Sequence, residues 1–182
     1  MKVIQKISII AVFLISTIVL VPSAWAQKGN VIKINIFSPI AKTFNIQYER
    51  KVSASSSLQL GFYYSGFSID NTKFSGFGLT PEYRFYLSDT EAPHGVYVAP
   101  FVRYQSFSVT NGPDKGTLTT VGGGLIIGKQ WIFKEKIALD IFIGPKYSSR
   151  NVKVTSGTDT FDTGNGLDGF GVRAGLCFGL AF

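Results

Sequence analysis

The chain is poor in the residues that most enzymes and disulfide-stapled domains use. Its 182 residues include one cysteine, one histidine and one methionine. A lone cysteine, Cys177, excludes an internal disulfide, and a domain of this size can bury a core without one. A lone histidine, His94, leaves a Ser–His catalytic pair dependent on a nearby serine, and the sequence offers no evident partner. Charged residues make up only 16% of the chain. A soluble β-sandwich would crowd lysine, glutamate and aspartate onto its outer faces, so this scarcity argues against one. No segment shows helical spacing with a cap and a stop. Past residue 22 no apolar run reaches the ~20 residues a membrane-crossing helix needs, so a helix-spanning membrane protein is not expected.

What is present begins at the N-terminus. Lys2 and Lys6 precede an apolar stretch, Ile7 to Pro22, followed by Ser23-Ala24-Trp25-Ala26. A basic start, an apolar middle and a small-x-small site predict a cleaved signal peptide over 1–26. The remainder, 27–182, is read as one β-barrel domain. Removing the two lysines takes the formal charge from +7 to +5. That charge is scattered with no basic stripe, and nucleic acid is not expected as a partner.

Alternation with period two then runs almost to the end. Eight stretches carry it: Val31–Phe37, Thr43–Arg50, Ser57–Ser68, Phe77–Leu87, Val96–Phe107, Thr119–Trp131, Ile137–Tyr147 and the closing 169–182. In the third, Leu58, Leu60, Phe62 and Tyr64 oppose Gln59, Gly61, Tyr63 and Ser65. Asn, Asp, Gly and Pro between the stretches supply turn chemistry. The non-apolar set is mostly Asn, Gln, Gly and Tyr, with charges of both signs. Such a set suits a polar lumen, and the apolar set suits lipid. The expectation is an all-β, eight-stranded antiparallel up-and-down transmembrane β-barrel. Closure removes sheet edges that lipid could not satisfy. Aromatics near strand ends, among them Phe37, Tyr48, Tyr83, Tyr104, Trp131 and Tyr147, would form interfacial girdles. Pro81, Pro100 and Pro145 fall inside strands, and a bulge or weakened ladder is expected near the first two.

The closing stretch, GFGVRAGLCFGLAF, ends on Phe178, Leu180 and Phe182 at alternate positions. A final phenylalanine in that pattern resembles the C-terminal signal of bacterial outer-membrane barrels. The whole mature chain resembles the small eight-stranded outer-membrane proteins of the OmpA/OmpX type. The resemblance implies a Gram-negative outer-membrane location, contact with outer-membrane lipid and lipopolysaccharide, and recognition of Phe178, Leu180 and Phe182 by the barrel assembly machinery. With both termini periplasmic, the outer loops are 38–42, 69–74, 110–117 and 148–168, and the inner turns are 51–56, 88–95 and 133–136. The longest loop, 148–168, is the candidate contact for an extracellular ligand.

Inside the barrel, period two places Lys33, Glu49, Glu82, Arg84, Arg103, Asp140, Lys146 and Arg173. Eight strands leave room for little but side chains. Lys33, Glu49, Glu82, Arg84 and Asp140 mix signs in the periplasmic half and are expected to form a salt-bridge network. Arg103, Lys146 and Arg173 lie in the outer half with no inward carboxylate assigned to their level. They are candidates for an anion-binding vestibule, with Gly122, Gly124, Gly144, Gly171 and Gly175 leaving space. Their alternative is simple hydration.

No catalytic residue, cofactor or metal site is expected. Asp159, Asp162 and Asp168 lack the calcium-loop spacing. Gly122–Gly124 and Gly169-x-Gly171 precede no helix and do not form a phosphate loop. The reading is a non-enzymatic scaffold that displays loops. Two alternatives stay open: a lipid A- or phospholipid-modifying enzyme, and a soluble periplasmic lipocalin-like binding barrel.

Overall fold

A computed structural model describes residues 29–40, 42–69, 72–111, 114–156 and 169–182. The predicted signal peptide lies outside them. Eight strands follow in order: β1 (Asn30–Asn35), β2 (Thr43–Ser53), β3 (Ser56–Ile69), β4 (Thr72–Tyr86), β5 (Gly95–Asn111), β6 (Asp114–Phe133), β7 (Ile137–Ser156) and β8 (Gly169–Ala181). Each pairs antiparallel with the next, and β1 pairs with β8 to close a transmembrane barrel. At the end carrying the termini, Asn30 and Phe182 exchange backbone hydrogen bonds of 3.1 and 2.9 Å. The closing ladder therefore reaches the last residue, and Phe178, Leu180 and Phe182 point outward.

Sidedness follows the alternation. Leu60, Leu79, Leu125, Ile127 and Ile141 are exposed on the outer wall, whereas Lys33, Glu49, Glu82, Arg84 and Asp140 are buried inside. A soluble lipocalin-like barrel needs the reverse, because its centre must be the apolar phase. The inside-out arrangement is stable only where the surroundings are hydrocarbon.

The ladder interruptions fall at the prolines. The β4–β5 register runs through Leu79↔Tyr104, Glu82↔Phe101 and Phe85↔Val98, with no pair at residues 80–81 or 83–84. Likewise β6–β7 skips from Gly124↔Lys146 to Ile127↔Ile143 around Pro145. The register is the same on both sides of each gap. The missing N–H groups weaken the ladder without inserting a bulge.

Three expectations change at the end opposite the termini. The supposed loops 69–74 and 110–117 are mostly strand, since pairing continues to Ile69↔Thr72 and Asn111↔Asp114. Of the supposed loop 148–168, residues up to Ser156 belong to β7, and 157–168 lie outside the described residues. β1, in contrast, stops at Asn35, where the chain turns and the Ser38 N–H donates to the Asn35 carbonyl. β6 and β7 have 20 residues each, about twice the 9–11 that a tilted strand needs to cross a bilayer. Their far ends project beyond the apolar band.

The projecting part has the opposite polarity. On β5 the outward positions are Val98, Val102 and Tyr104 within the band, then Ser106 and Ser108 beyond it. The inward positions change from Arg103 and Gln105 to Phe107 and the buried Val109. On β6, Val121 faces out and Leu118, three residues earlier, is buried. Phe107 is paired with Leu118, and Phe74 with Val109. The hydrophobic phase has slipped by one residue while the strand continues. That is the sidedness water demands.

At the terminal end, the connection 87–94 folds back beneath the lumen. The Ala92 N–H donates to the Ala54 carbonyl at 2.7 Å, Lys51 pairs with Glu91 at 2.6 Å, and Ala92 packs beside Tyr86 and Tyr97. Its length has a structural purpose: it covers the floor of the barrel.

Candidate functional site

The lumen has two levels. The lower is built from β1 to β7. Lys33 Nζ donates to Glu49 Oε2 at 2.7 Å, to Asp140 Oδ2 at 2.9 Å, and to the Gln130 amide oxygen. Arg84 Nη1 reaches the same two carboxylate oxygens at 3.3 and 2.9 Å, and Nη2 reaches Glu82 Oε2 at 3.3 Å. Tyr86 and Ser57 donate to Glu49 Oε1, and Tyr97 donates to Asp140 Oδ1 at 2.8 Å. The Arg84 guanidinium stacks 4.2 Å above the Tyr97 ring. Gln130 Nε2 donates to the Pro93 carbonyl at 2.6 Å, tying the floor to this network.

Burying a charge costs several kcal/mol, and pairing offsets that cost only when the remaining lone pairs are also satisfied. Here they are. Both oxygens of Glu49, Glu82 and Asp140 accept at least one hydrogen bond. The result is an ionic plug whose charged side chains are buried in the lumen.

One expectation is corrected at the boundary. Arg173 does have a carboxylate partner: its Nη2 pairs with Glu82 Oε1. The two positions are on β8 and β4, across the barrel, and the long guanidinium spans the lumen. Its guanidinium carbon lies 4.5 Å from the Phe101 ring centre and 4.9 Å from that of Phe142. Gly175 makes this possible, because a Cβ there would collide with the Phe142 ring. The Phe101–Arg173–Phe142 sandwich separates the two levels. With Arg173 counted, three cations (Lys33, Arg84, Arg173) face three carboxylates (Glu49, Glu82, Asp140), and the plug is formally neutral.

Above the sandwich lies a polar cavity of about 220 Å³ lined by Asn35, Asn45, Gln47, Arg103, Lys146 and Arg173, with Phe142 as part of its floor. Arg103 Nε donates to the Thr80 hydroxyl at 3.1 Å, and its guanidinium sits 5.8 Å from the centre of the Tyr63 ring. The Lys146 stem lies along Gly171, where a Cβ would press on Cε at 3.0 Å. Among the described residues neither Arg103 nor Lys146 has a carboxylate within ion-pair distance. Two buried polar atoms of the lining, Arg173 Nη1 and Gln47 Oε1, have no hydrogen-bond partner.

The other candidates stand apart from this site. His94 is in the floor connection, where its N–H donates to the Glu91 carbonyl at 3.2 Å. Cys177 is buried, and Gln47 Nε2 donates to its Sγ at 3.4 Å. Asp159, Asp162 and Asp168 lie outside the described residues. Sequence reasoning missed Tyr63, Tyr86, Tyr97, Phe101 and Phe142 as parts of the two sites. Their inward parity was readable, but their role was not.

Residues 9–160 match the family described as "Protein of unknown function (DUF3575)". No curated protein matches the sequence. Among solved structures, Neisserial surface protein A is similar at 17% identity, covering 87% of this chain and 98% of that one, with a TM-score of 0.51. The N-terminal β-barrel domain of Pseudomonas aeruginosa OprF is 17% identical, with 87% and 100% covered and a TM-score of 0.47. At that identity the likeness to Neisserial surface protein A is one of fold.

Proposed function

The chain belongs to the DUF3575 family of proteins of unknown function, and from that premise we propose that it is a non-enzymatic scaffold of the Gram-negative outer membrane, exported by its signal peptide. It holds a sealed barrel in the bilayer and presents its projecting hairpins, together with residues 157–168 that follow β7, to a surface ligand or partner. One observation carries this reading. The lumen is closed by a neutral, hydrogen-bonded ionic plug and by the folded-back connection 87–94, while the wall is apolar outside. A sealed, lipid-facing barrel serves anchoring and display better than conduction. The short-turn end with both termini is periplasmic in this reading, and the projecting hairpins are extracellular. Phe178, Leu180 and Phe182 serve assembly at the periplasmic rim, and outer-membrane lipid surrounds the band.

Single cysteines test placement and orientation together. Ser108→Cys on the projecting part of β5 should react with a membrane-impermeant maleimide in intact cells. Ser55→Cys, in the turn at the opposite end, should react only after the outer membrane is permeabilised, and buried Cys177 should stay silent. Labelling of Ser55→Cys in intact cells, or recovery of the protein in the soluble periplasmic fraction, defeats the proposal.

A further inference from the structure

We propose that the upper lumen is a binding site for a phosphate-class oxyanion, entered from the side through the β1–β8 seam. This goes beyond the scaffold reading, which would stand without it. Three observations converge on the cavity. First, the charge is uncompensated: the plug is neutral once Arg173 is counted with Glu82, so Arg103 and Lys146 are left as two excess cations on one small polar cavity. Second, Arg173 is more than nine-tenths buried and keeps Nη1 unbonded, on a side chain that lines the cavity and is already clamped by Phe101, Phe142 and Glu82. A buried guanidinium N–H without an acceptor is costly, and an incoming oxyanion would supply one. Third, the amides of Asn35, Asn45 and Gln47 complete the lining, and amide N–H groups can donate to the remaining oxygens. The volume suits the ligand. Water occupies about 30 Å³ per molecule in the liquid, so the cavity has room for roughly seven waters, or for one tetrahedral oxyanion with a few.

The entry follows from strand lengths. β1 pairs with β8 only from Val31↔Ala181 to Asn35↔Cys177, and with β2 only as far as Ile34↔Ile46. Above that level β8 continues from Leu176 back to Gly169. Apart from one hydrogen bond from the Ile36 N–H to the Leu176 carbonyl, no strand among the described residues pairs with that edge. The cavity lies against this seam, since Asn35, Asn45, Val172 and Ala174 border it. The opposite side of the projecting region is closed by the apolar cluster of Phe107, Val109 and Leu118. Just outside, an apolar groove lined by Phe37, Ile141, Ile143 and Leu176 shares Phe142 and Ala174 with the cavity. The seam thus joins a cationic pocket to an apolar channel on the lipid face. The oxyanion is either free phosphate or the phosphate headgroup of a membrane lipid whose acyl chain lies in that groove.

Titration of the folded full-length barrel, purified from membranes in detergent, tests the site. The probes are inorganic phosphate and a short-chain phosphatidic acid, with phosphatidylcholine of equal chain length as the control. The variants are Arg103→Gln and Lys146→Gln, with Lys136→Gln in the exposed turn between β6 and β7 as an unaffected reference. Either anionic probe should bind saturably, and each lumen variant should weaken it about tenfold or more, as expected for one lost charge-assisted hydrogen bond. Binding of inorganic phosphate supports the site with a free ion as ligand. Binding of phosphatidic acid without inorganic phosphate supports it with a lipid headgroup. The proposal is overturned if neither anion binds, if both lumen variants bind as well as the native protein, or if phosphatidylcholine binds equally.

Discussion

The two levels of the lumen are made by the same eight strands, yet they solve opposite problems. Below the Phe101–Arg173–Phe142 sandwich every carboxylate oxygen is bonded and the charges cancel. Above it, among the described residues, Arg103 and Lys146 lack carboxylates, and the buried Arg173 Nη1 and Gln47 Oε1 lack hydrogen-bond partners. In the lower level every ion is paired, which offsets the cost of burying it, though Arg84 Nε and the Gln59 amide stay without partners. The upper level leaves Arg103 and Lys146 without an ion partner among the described residues, next to a gap in the wall. Satisfied charge inside a barrel holds the structure together. Unsatisfied charge near an opening is where a ligand can contribute.

The sharpest way to break this contrast is to injure the lower level. Asp140→Ala removes an acceptor from Lys33, Arg84 and Tyr97 at once. The two cations are then buried with too few partners, and stability should fall by about 3–5 kcal/mol. Urea unfolding followed by the loss of the compact, heat-modifiable band would measure it. Asp140→Ala at native stability would mean that the plug contributes nothing.

A second comparison sets the membrane band against the projecting hairpins. Leu125→Arg puts a cation near the middle of the lipid face and should cost about 2–4 kcal/mol. Ser108→Arg, outward on the projecting part of β5, should change stability by less than about 0.5 kcal/mol. Both are measured by folding into lipid vesicles across a urea series. Equal penalties would place Ser108 within the hydrocarbon and erase the phase change at Gln105.

The smallest expected effect sharpens the first contrast. Lys146→Gln removes an inward charge of the same kind as Lys33, yet it should alter stability by no more than about 0.5 kcal/mol, because no bonded partner is orphaned. In the same urea series, a loss comparable to that of Asp140→Ala would show Lys146 to be part of the plug.

How much of this was legible varies by residue. The outward set was readable because period two is a property of each strand alone. The slip in phase between Tyr104 and Phe107 was also written in the text, in the Ser106-Phe107-Ser108-Val109 order. The alternating stretch read there ends at Phe107, before Val109 completes the change. The cover formed by 87–94 looked only like a turn of unusual length. The partner of Arg173 could not be read at all, since Glu82 is 91 positions away and their relative height depends on the stagger accumulated around the barrel.

The sequence by itself determined the number of strands, their direction and which side chains face lipid, because alternation acts between neighbours in the chain and a one-residue slip would expose the wrong face. The tertiary structure alone decided which charges meet, where the sandwich divides the lumen and where the wall is unpaired. Those features depend on the closing register of β1 with β8 and on how far a guanidinium can reach across the barrel, and neither is encoded in any local stretch.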